Sequence, residues 1–209
     1  GYIEQFTGFA DMYSGDVPAS LSRYGQALEY HRRADNPHGV AMTLTRLSTA
    51  HSFLGESDRA VAEAEEARAV CDAHGDRVNK AFASWALGIA LWRQGDTKKA
   101  AEVELESLRI QFRVDTRLAV ATGIALLAWI SATEGRFERS ARLLGSTHNL
   151  RQSTGGVLAS YGRLAVYHQR CEADTRKALG ASAYHDLFDE GLQFNYEESV
   201  AYATRDELP

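Results

Sequence analysis

Residues 93–100 read RQGDTKKA, and the same outline stands at three other places: YSGDVPAS at 13–20, FLGESDRA at 53–60 and TEGRFERS at 133–140. The four glycines, Gly15, Gly55, Gly95 and Gly135, are 40 residues apart each time. A fixed period of this size marks a repeat built on one supersecondary unit. Taken alone, a glycine followed by a hydroxyl residue and two lysines suggests a phosphate-cradling loop. Spacing rules that out, because a Walker loop requires G-x4-G-K-[ST] so that backbone N–H groups wrap the phosphates. Gly88 and Gly95 stand too far apart, and Asp96 would set a negative charge against the phosphate. The stretch is a turn, and Lys98 and Lys99 fall in the first turn of the next helix, pointing to solvent.

Other positions keep the same phase. Gly8, Ser48, Gly88 and Ala128 precede the turn glycines by a constant interval. Ser20, Ala60, Ala100 and Ser140 follow them, and further on come Ala27, Ala67, Ser107 and Thr147. Small side chains at these points let two helices approach closely, since helix separation is set by the residues at the contact. After Gly55 the residues Ala60, Val61, Ala64, Ala67, Val70 and Cys71 form a narrow apolar stripe. The opposite face carries Glu63, Glu65, Glu66 and Arg68. Before Gly95, Phe82, Trp85, Leu87, Ile89, Leu91 and Trp92 make a helix apolar nearly all round, as an inner helix should be. Pro18 belongs in a first helical turn and Pro37 in a linker. With no alternating β pattern of useful length, the chain reads as all-α.

Composition limits the function classes. The 209 residues are 44% apolar, enough to bury a core. A formal net charge of −5 with no basic run is unsuited to gripping nucleic acid through its phosphates. No apolar run is long enough to span a membrane, and GYIEQFTGFADMY lacks the basic start and cleavage site of a signal peptide. Cys71 and Cys171, the only cysteines, make no disulfide framework, and a reducing cytoplasm is the simpler location. His168 and Cys171 have a spacing that puts two ligands on one helical face, but no second pair stands nearby, so packing is the expected role. Glu102, Glu104 and Glu106 read as a solvated helix surface. No G-x-S-x-G elbow, H-E-x-x-H or activated cysteine is present, and a catalytic role, cofactor or metal site is not expected.

The pattern small-x6-Gly-x4-small-x6-small resembles the tetratricopeptide repeat, a helix–turn–helix unit whose usual period is about 34 residues. The departures are the longer period and the absence of a closing proline, replaced by Arg32, Asp72, Phe112 and Gln152. The resemblance implies a right-handed superhelical solenoid of helical hairpins, with repeats at 1–40, 41–80, 81–120 and 121–160. Its first helices would face a concave groove. Carried over in phase, the ligand-facing positions include Phe9, Tyr13, Arg46, Phe53, Trp85, Ile89, Trp92, Arg93 and Trp129. Aromatics and arginine are what binding hot spots favour. Packing between neighbouring repeats is the equally open alternative for each of them.

The tail leaves the pattern. Tyr161–Leu179 reads as one long helix stopped by Gly180, Ala181–Glu190 as a second ended by Gly191, and Asn195 with Glu198 as a capping box for a third. Terminal units of solenoids are atypical because they cover an exposed core, so 161–209 is expected to be a set of capping helices in one continuous domain with the repeats. The chain reads as a piece excised from a larger protein. Ala141–Gly145, Leu179–Gly180, Leu187–Gly191 and Glu197–Ala201 resemble the C-terminal region of large ATP-binding LuxR-type transcriptional regulators and related bacterial signal-transduction ATPases. That resemblance implies a cytoplasmic, non-catalytic sensor or scaffold that binds an effector small molecule or a protein or peptide in its groove. The ATPase and DNA-binding modules would lie elsewhere in the same polypeptide, with no direct contact of this segment to nucleic acid or membrane. A homo-oligomer is compatible with it. The alternative is a stand-alone tetratricopeptide adaptor for peptide segments of partner proteins.

Overall fold

A computed structural model describes residues 1–153 and 162–205. Among these the chain forms eleven α-helices and no strand. They are α1 (Tyr2–Ser14), α2 (Val17–Arg33), α3 (Pro37–Leu54), α4 (Ser57–His74), α5 (Arg77–Gln94), α6 (Thr97–Arg113), α7 (Arg117–Thr133), α8 (Phe137–Ser153), α9 (Gly162–Leu179), α10 (Ala181–Leu192) and α11 (Tyr196–Thr204). The chain is all-α.

From α2 to α8 a new helix begins every 20 residues, so the 40-residue phase is two turns per repeat. The turns share one geometry. Gly15, Gly55, Gly75, Gly95 and Gly135 take left-handed backbone, and Asp35 (φ 48°) and Asp115 (φ 51°) do the same in the turns without glycine. Aspartate tolerates this region better than most residues with a side chain. In each turn the next N–H reaches back five residues to a helix carbonyl: Asp16 to Asp11, Asn36 to His31, Glu56 to His51, Asp76 to Cys71, Asp96 to Leu91, Thr116 to Gln111 and Arg136 to Ser131. This satisfies carbonyls that the helix end leaves unpaired. Four of the following helices are then capped by side chains. Asp16, Asn36, Asp76 and Asp96 accept from the N–H of Ala19, Gly39, Asn79 and Lys99. Asp96 is thus the cap of α6, and Lys98 and Lys99 are exposed. Pro37, expected in a linker, is instead in the first turn of α3, where a missing N–H costs nothing.

The helices fall into two compact units, Gly1–Ile110 and Gln111–Pro209, with the boundary inside α6. In the first unit α1 packs on α2, α2 on α3, α3 on α4 and α5, and α4 on α5. The Ser107 hydroxyl donates to the Ala81 carbonyl, tying α6 to α5 at 2.8 Å. Val17, Tyr24, Leu47 and Ala50 make one core cluster, and Val40, Leu44, Ala67 and Ala83 another. The buried stripe of α4 is Ala60, Ala64, Ala67 and Cys71. Each alanine buries little, about 0.8 kcal/mol per methyl-sized group, so the stripe serves mainly to bring backbones together. A Cβ on Gly8 would stand 2.8 Å from the Tyr24 ring, which shows how tight the α1–α2 crossing is.

In the second unit α8 is the hub, packing on α7, α9, α10 and α11. The α8–α10 crossing is a close one. A Cβ on Gly145 would lie 2.0 Å from the Phe188 carbonyl oxygen, and one on Gly191 2.0 Å from that of Arg142. Gly191, expected to end its helix, is the penultimate residue of α10, which ends at Leu192, and it is also a contact residue. Gly180 (φ 81°) does separate α9 from α10. The capping box of α11 is complete: Glu198 N–H donates to Asn195, and Asn195 N–H to the Glu198 carboxylate. Arg139 donates to the carbonyls of Tyr202 and Ala203, neutralising the C-terminal end of α11. Arg142 pairs with Glu190 at 2.6 Å, and Asn149 donates to the Phe194 carbonyl. Ala141–Gly145 of α8 and Leu187–Gly191 of α10 thus meet in one helix crossing.

Candidate functional site

The first helix of each hairpin offers the side chains expected to meet a ligand. In the first unit the structure brings two of them together. The Arg46 guanidinium of α3 lies over the Phe9 ring of α1, 4.7 Å from its centroid, and both residues are half-buried. α2 supports the pair from below with Tyr24, which is fully buried. Burial raises the Tyr24 hydroxyl pKa, and the neighbouring Arg46 charge opposes that rise. A guanidinium over an aromatic face is attracted by the ring quadrupole and keeps donors to offer a carboxylate. Gln5 of α1 adds a buried bond to the Thr43 hydroxyl at 2.7 Å, fixing α1 against α3 beneath the stack.

Farther along, Trp85 and Trp92 of α5 are half-buried and Arg93 is exposed. The Trp85 indole N–H is shielded from solvent and has no acceptor among the described residues. An Arg93 guanidinium nitrogen lies 3.7 Å from where a Cβ on Gly55 would be, so the α3–α4 turn borders this strip. Three other expected lining residues are buried: Phe53 is 6% exposed, Ile89 0% and Trp129 2%. Trp129 meets the Tyr167 ring edge-on within the second unit. The physical reason is that the inner helices α3, α5 and α7 are covered on most sides, leaving only a narrow outer strip. Tyr13 lies in α1, with its side chain outside the described residues.

Two polar features escaped the sequence reading. His51 of α3 is 2% exposed, with Nδ1 2.7 Å from the Glu63 carboxylate of α4. Arg59 holds the same carboxylate at 3.4 Å. One repeat earlier, the same two positions are Asp11 and Arg23, again paired at 2.7 Å. The reversed polarity hides the equivalence from a search for identical residues. Glu104, expected on a solvated surface, is 0% exposed, with no hydrogen-bond partner for either carboxyl oxygen among the described residues. Burial lifts its carboxyl well above the ordinary range. Its phase equivalents Tyr24, Ala64 and Leu144 are core residues, and that was the available signal. Glu102 is exposed, and Glu106 pairs with Arg68 and Lys80.

Both cysteines and His168 are governed by burial. Cys171 shares Ser140 with Thr175, at 3.4 and 3.1 Å from its hydroxyl. Burial pushes the thiols of Cys71 and Cys171 up to about 11, so both are protonated at neutral pH. Burial, then the charges of Arg151 and His148, lower His168 to about 4. Among the described residues no cluster of three or more His, Cys, Asp or Glu is placed to hold a metal ion, and no helix is long and apolar enough to cross a membrane.

No protein-family model matches the chain, and no curated protein matches it. The functional reading therefore rests on the residues themselves.

Proposed function

We propose that the chain is a non-catalytic binding scaffold of tetratricopeptide type, a right-handed superhelical stack of helical hairpins closed by its C-terminal helices. Its ligand strip runs along the first helices, from the Phe9–Arg46 stack to Trp85, Trp92 and Arg93. The ligand is a peptide or small molecule carrying a carboxylate or a planar anionic group. The segment serves as the sensor of a bacterial LuxR-type ATP-dependent transcriptional regulator, with the ATPase and DNA-binding modules elsewhere in the polypeptide. Binding along the first helices biases those modules by favouring one curvature of the stack, since each repeat touches only its neighbours.

The observation that supports the binding role is the Arg46 guanidinium over the Phe9 ring, two residues that the tetratricopeptide resemblance, carried over in phase, puts on the ligand-facing side. The uniform left-handed turns support the repeat reading. Peptides selected from a random display library on the full chain supply the probe. Replacing Trp92 and Arg93 together by alanine should weaken their binding by about 2 kcal/mol or more, roughly thirtyfold, with helical content unchanged. Equal affinity for both proteins would remove the strip assignment. For the regulator context, the surrounding reading frame should encode G-x4-G-K-[ST] upstream and a helix-turn-helix downstream; a frame with neither excludes it.

A further inference from the structure

Charge is distributed unevenly along the second unit. Residues 139–171 contain five arginines, two histidines and no carboxylate, in a chain with 28 acidic residues and a net charge of −5. Three of these arginines are committed elsewhere in the fold. Arg139 donates to the end of α11, Arg142 pairs with Glu190 of α10, and Arg170 pairs with Asp174 one turn along α9. The side chain of Arg163 lies outside the described residues. Arg151 stands one turn from His148 on α8, and His168 of α9 lies within reach of both their charges where α9 packs on α8. His148 is exposed, so the group opens to solvent on that side, while Arg151 and His168 are half-buried and the Arg151 Nε is shielded. Burial opposes the charge of Arg151 and of His168, and Arg151 and His148 further oppose a proton on the His168 ring. α7, packed on another side of α9, has no titratable side chain except Arg117 at its start, and none from α10 acts on His168. The negative end of the α8 dipole accounts for Arg151 in the last turn of that helix. It does not account for His168, which another helix brings to the same place. Like-signed groups gathered at a half-buried position are stabilised by an anion among them. The sequence that links α8 to α9, TGGVLASY at 154–161, has no carboxylate to serve that purpose.

We propose that His148, Arg151 and His168 form a site for a small tetrahedral oxyanion, a phosphate or sulfate group. Arg151 supplies the fixed charge and a planar fork of donors, and the two imidazoles supply further N–H donors. The site belongs to α8 and α9 and does not use the strip on the first helices. Binding is linked to proton uptake, because an anion beside the His168 ring favours its charged form; affinity therefore rises as pH falls.

The test titrates the full chain with sulfate, whose charge is constant over the range, at an ionic strength held fixed with chloride. Proton–carbon correlation spectra follow the histidine rings. The His148 and His168 signals should shift saturably, with tighter binding at pH 5 than at pH 7. In saturating sulfate the His168 titration midpoint should move up from about 4. Arg151→Gln should weaken binding by about tenfold or more, and Arg151→Lys by less. His168→Gln should remove the pH dependence. All three variants should keep the wild-type helical signal, which separates a lost site from a lost fold. Inorganic phosphate and glucose 6-phosphate run in parallel at pH 7: saturation by either supports the site, and the tighter one assigns a free anion or a phosphate ester. Shifts that stay linear through tens of millimolar of all three anions, or equal affinity in the Arg151→Gln protein, overturn the proposal.

Discussion

Gly145→Ala and Gly191→Ala are the most informative single-methyl changes in the second unit. In each the new Cβ would begin 2.0 Å from a carbonyl oxygen of the facing helix, Phe188 for Gly145 and Arg142 for Gly191. A carbon and a carbonyl oxygen settle no closer than about 3.3 Å, so α8 and α10 must separate by roughly an ångström or more. The obstacle is backbone on both sides and no side-chain rotamer relieves it. Overpacking of this kind costs about 3 kcal/mol, the upper end of its range. Alanine returns about 1 kcal/mol through its helix propensity, leaving a net loss of about 2 kcal/mol. For a chain of this size that lowers the melting temperature by roughly 4–8 °C. Gly25→Ala is the control: it lies in α2 with nothing within 4 Å of its added Cβ. It should raise stability by about 0.5–1 kcal/mol. Thermal melts followed by circular dichroism read all three. The double variant should cost less than the sum of the singles, because one methyl has already opened the crossing. If Gly145→Ala and Gly191→Ala stabilise the protein as Gly25→Ala does, the close α8–α10 crossing is refuted.

Two titratable groups give further tests. Glu104→Leu installs the residue found at the equivalent Leu144 and removes a buried carboxyl without a partner. Stability at pH 7 should rise by about 1–3 kcal/mol. The folded pKa of Glu104 lies above its unfolded value of 4.5, so the wild type loses stability as pH climbs beyond 4.5. Urea denaturation at pH 4 and pH 7 should show the gain larger at pH 7, and a gain independent of pH would contradict the buried neutral acid. His168 has the opposite sign, since its folded pKa of about 4 is below the unfolded 6.5. The wild type should lose roughly 3 kcal/mol between pH 6.5 and 4 from this group, present above 6.5 and lost as pH falls. His168→Gln should flatten that part of the urea-denaturation pH profile; an unchanged slope would show that the imidazole is solvated.

The residues themselves account for much of this architecture. The 40-residue glycine phase located four turns, and all the small residues that keep this phase are buried at helix contacts. The 20-residue half-period was harder to see because Asp35 and Asp115 take the left-handed turn that glycine takes elsewhere. Gly191 stands one residue before the end of α10, and its second role, contact with the facing Arg142 carbonyl, has no local signal in the sequence. Glu104 was misplaced because its neighbours Glu102 and Glu106 made a charge run, while its phase partners were core residues. At the candidate site, helical phase selected Phe9 and Arg46 but could not separate the half-buried Trp85 and Trp92 from the buried Phe53, Ile89 and Trp129. Residues on one helix share the same local pattern, and depth depends on which later helices cover them.

The proposed binding strip on the first helices is tested most directly by a proton–nitrogen correlation spectrum of the full chain titrated with a display-selected peptide. The chain's three tryptophans each contribute one indole N–H signal. The strip's role requires that Trp85 and Trp92 shift, together with the backbone amides around Phe9 and Arg46, while the buried Trp129 indole stays in place. Shifts confined to α8–α11, with Trp85 and Trp92 unmoved at saturation, would contradict it.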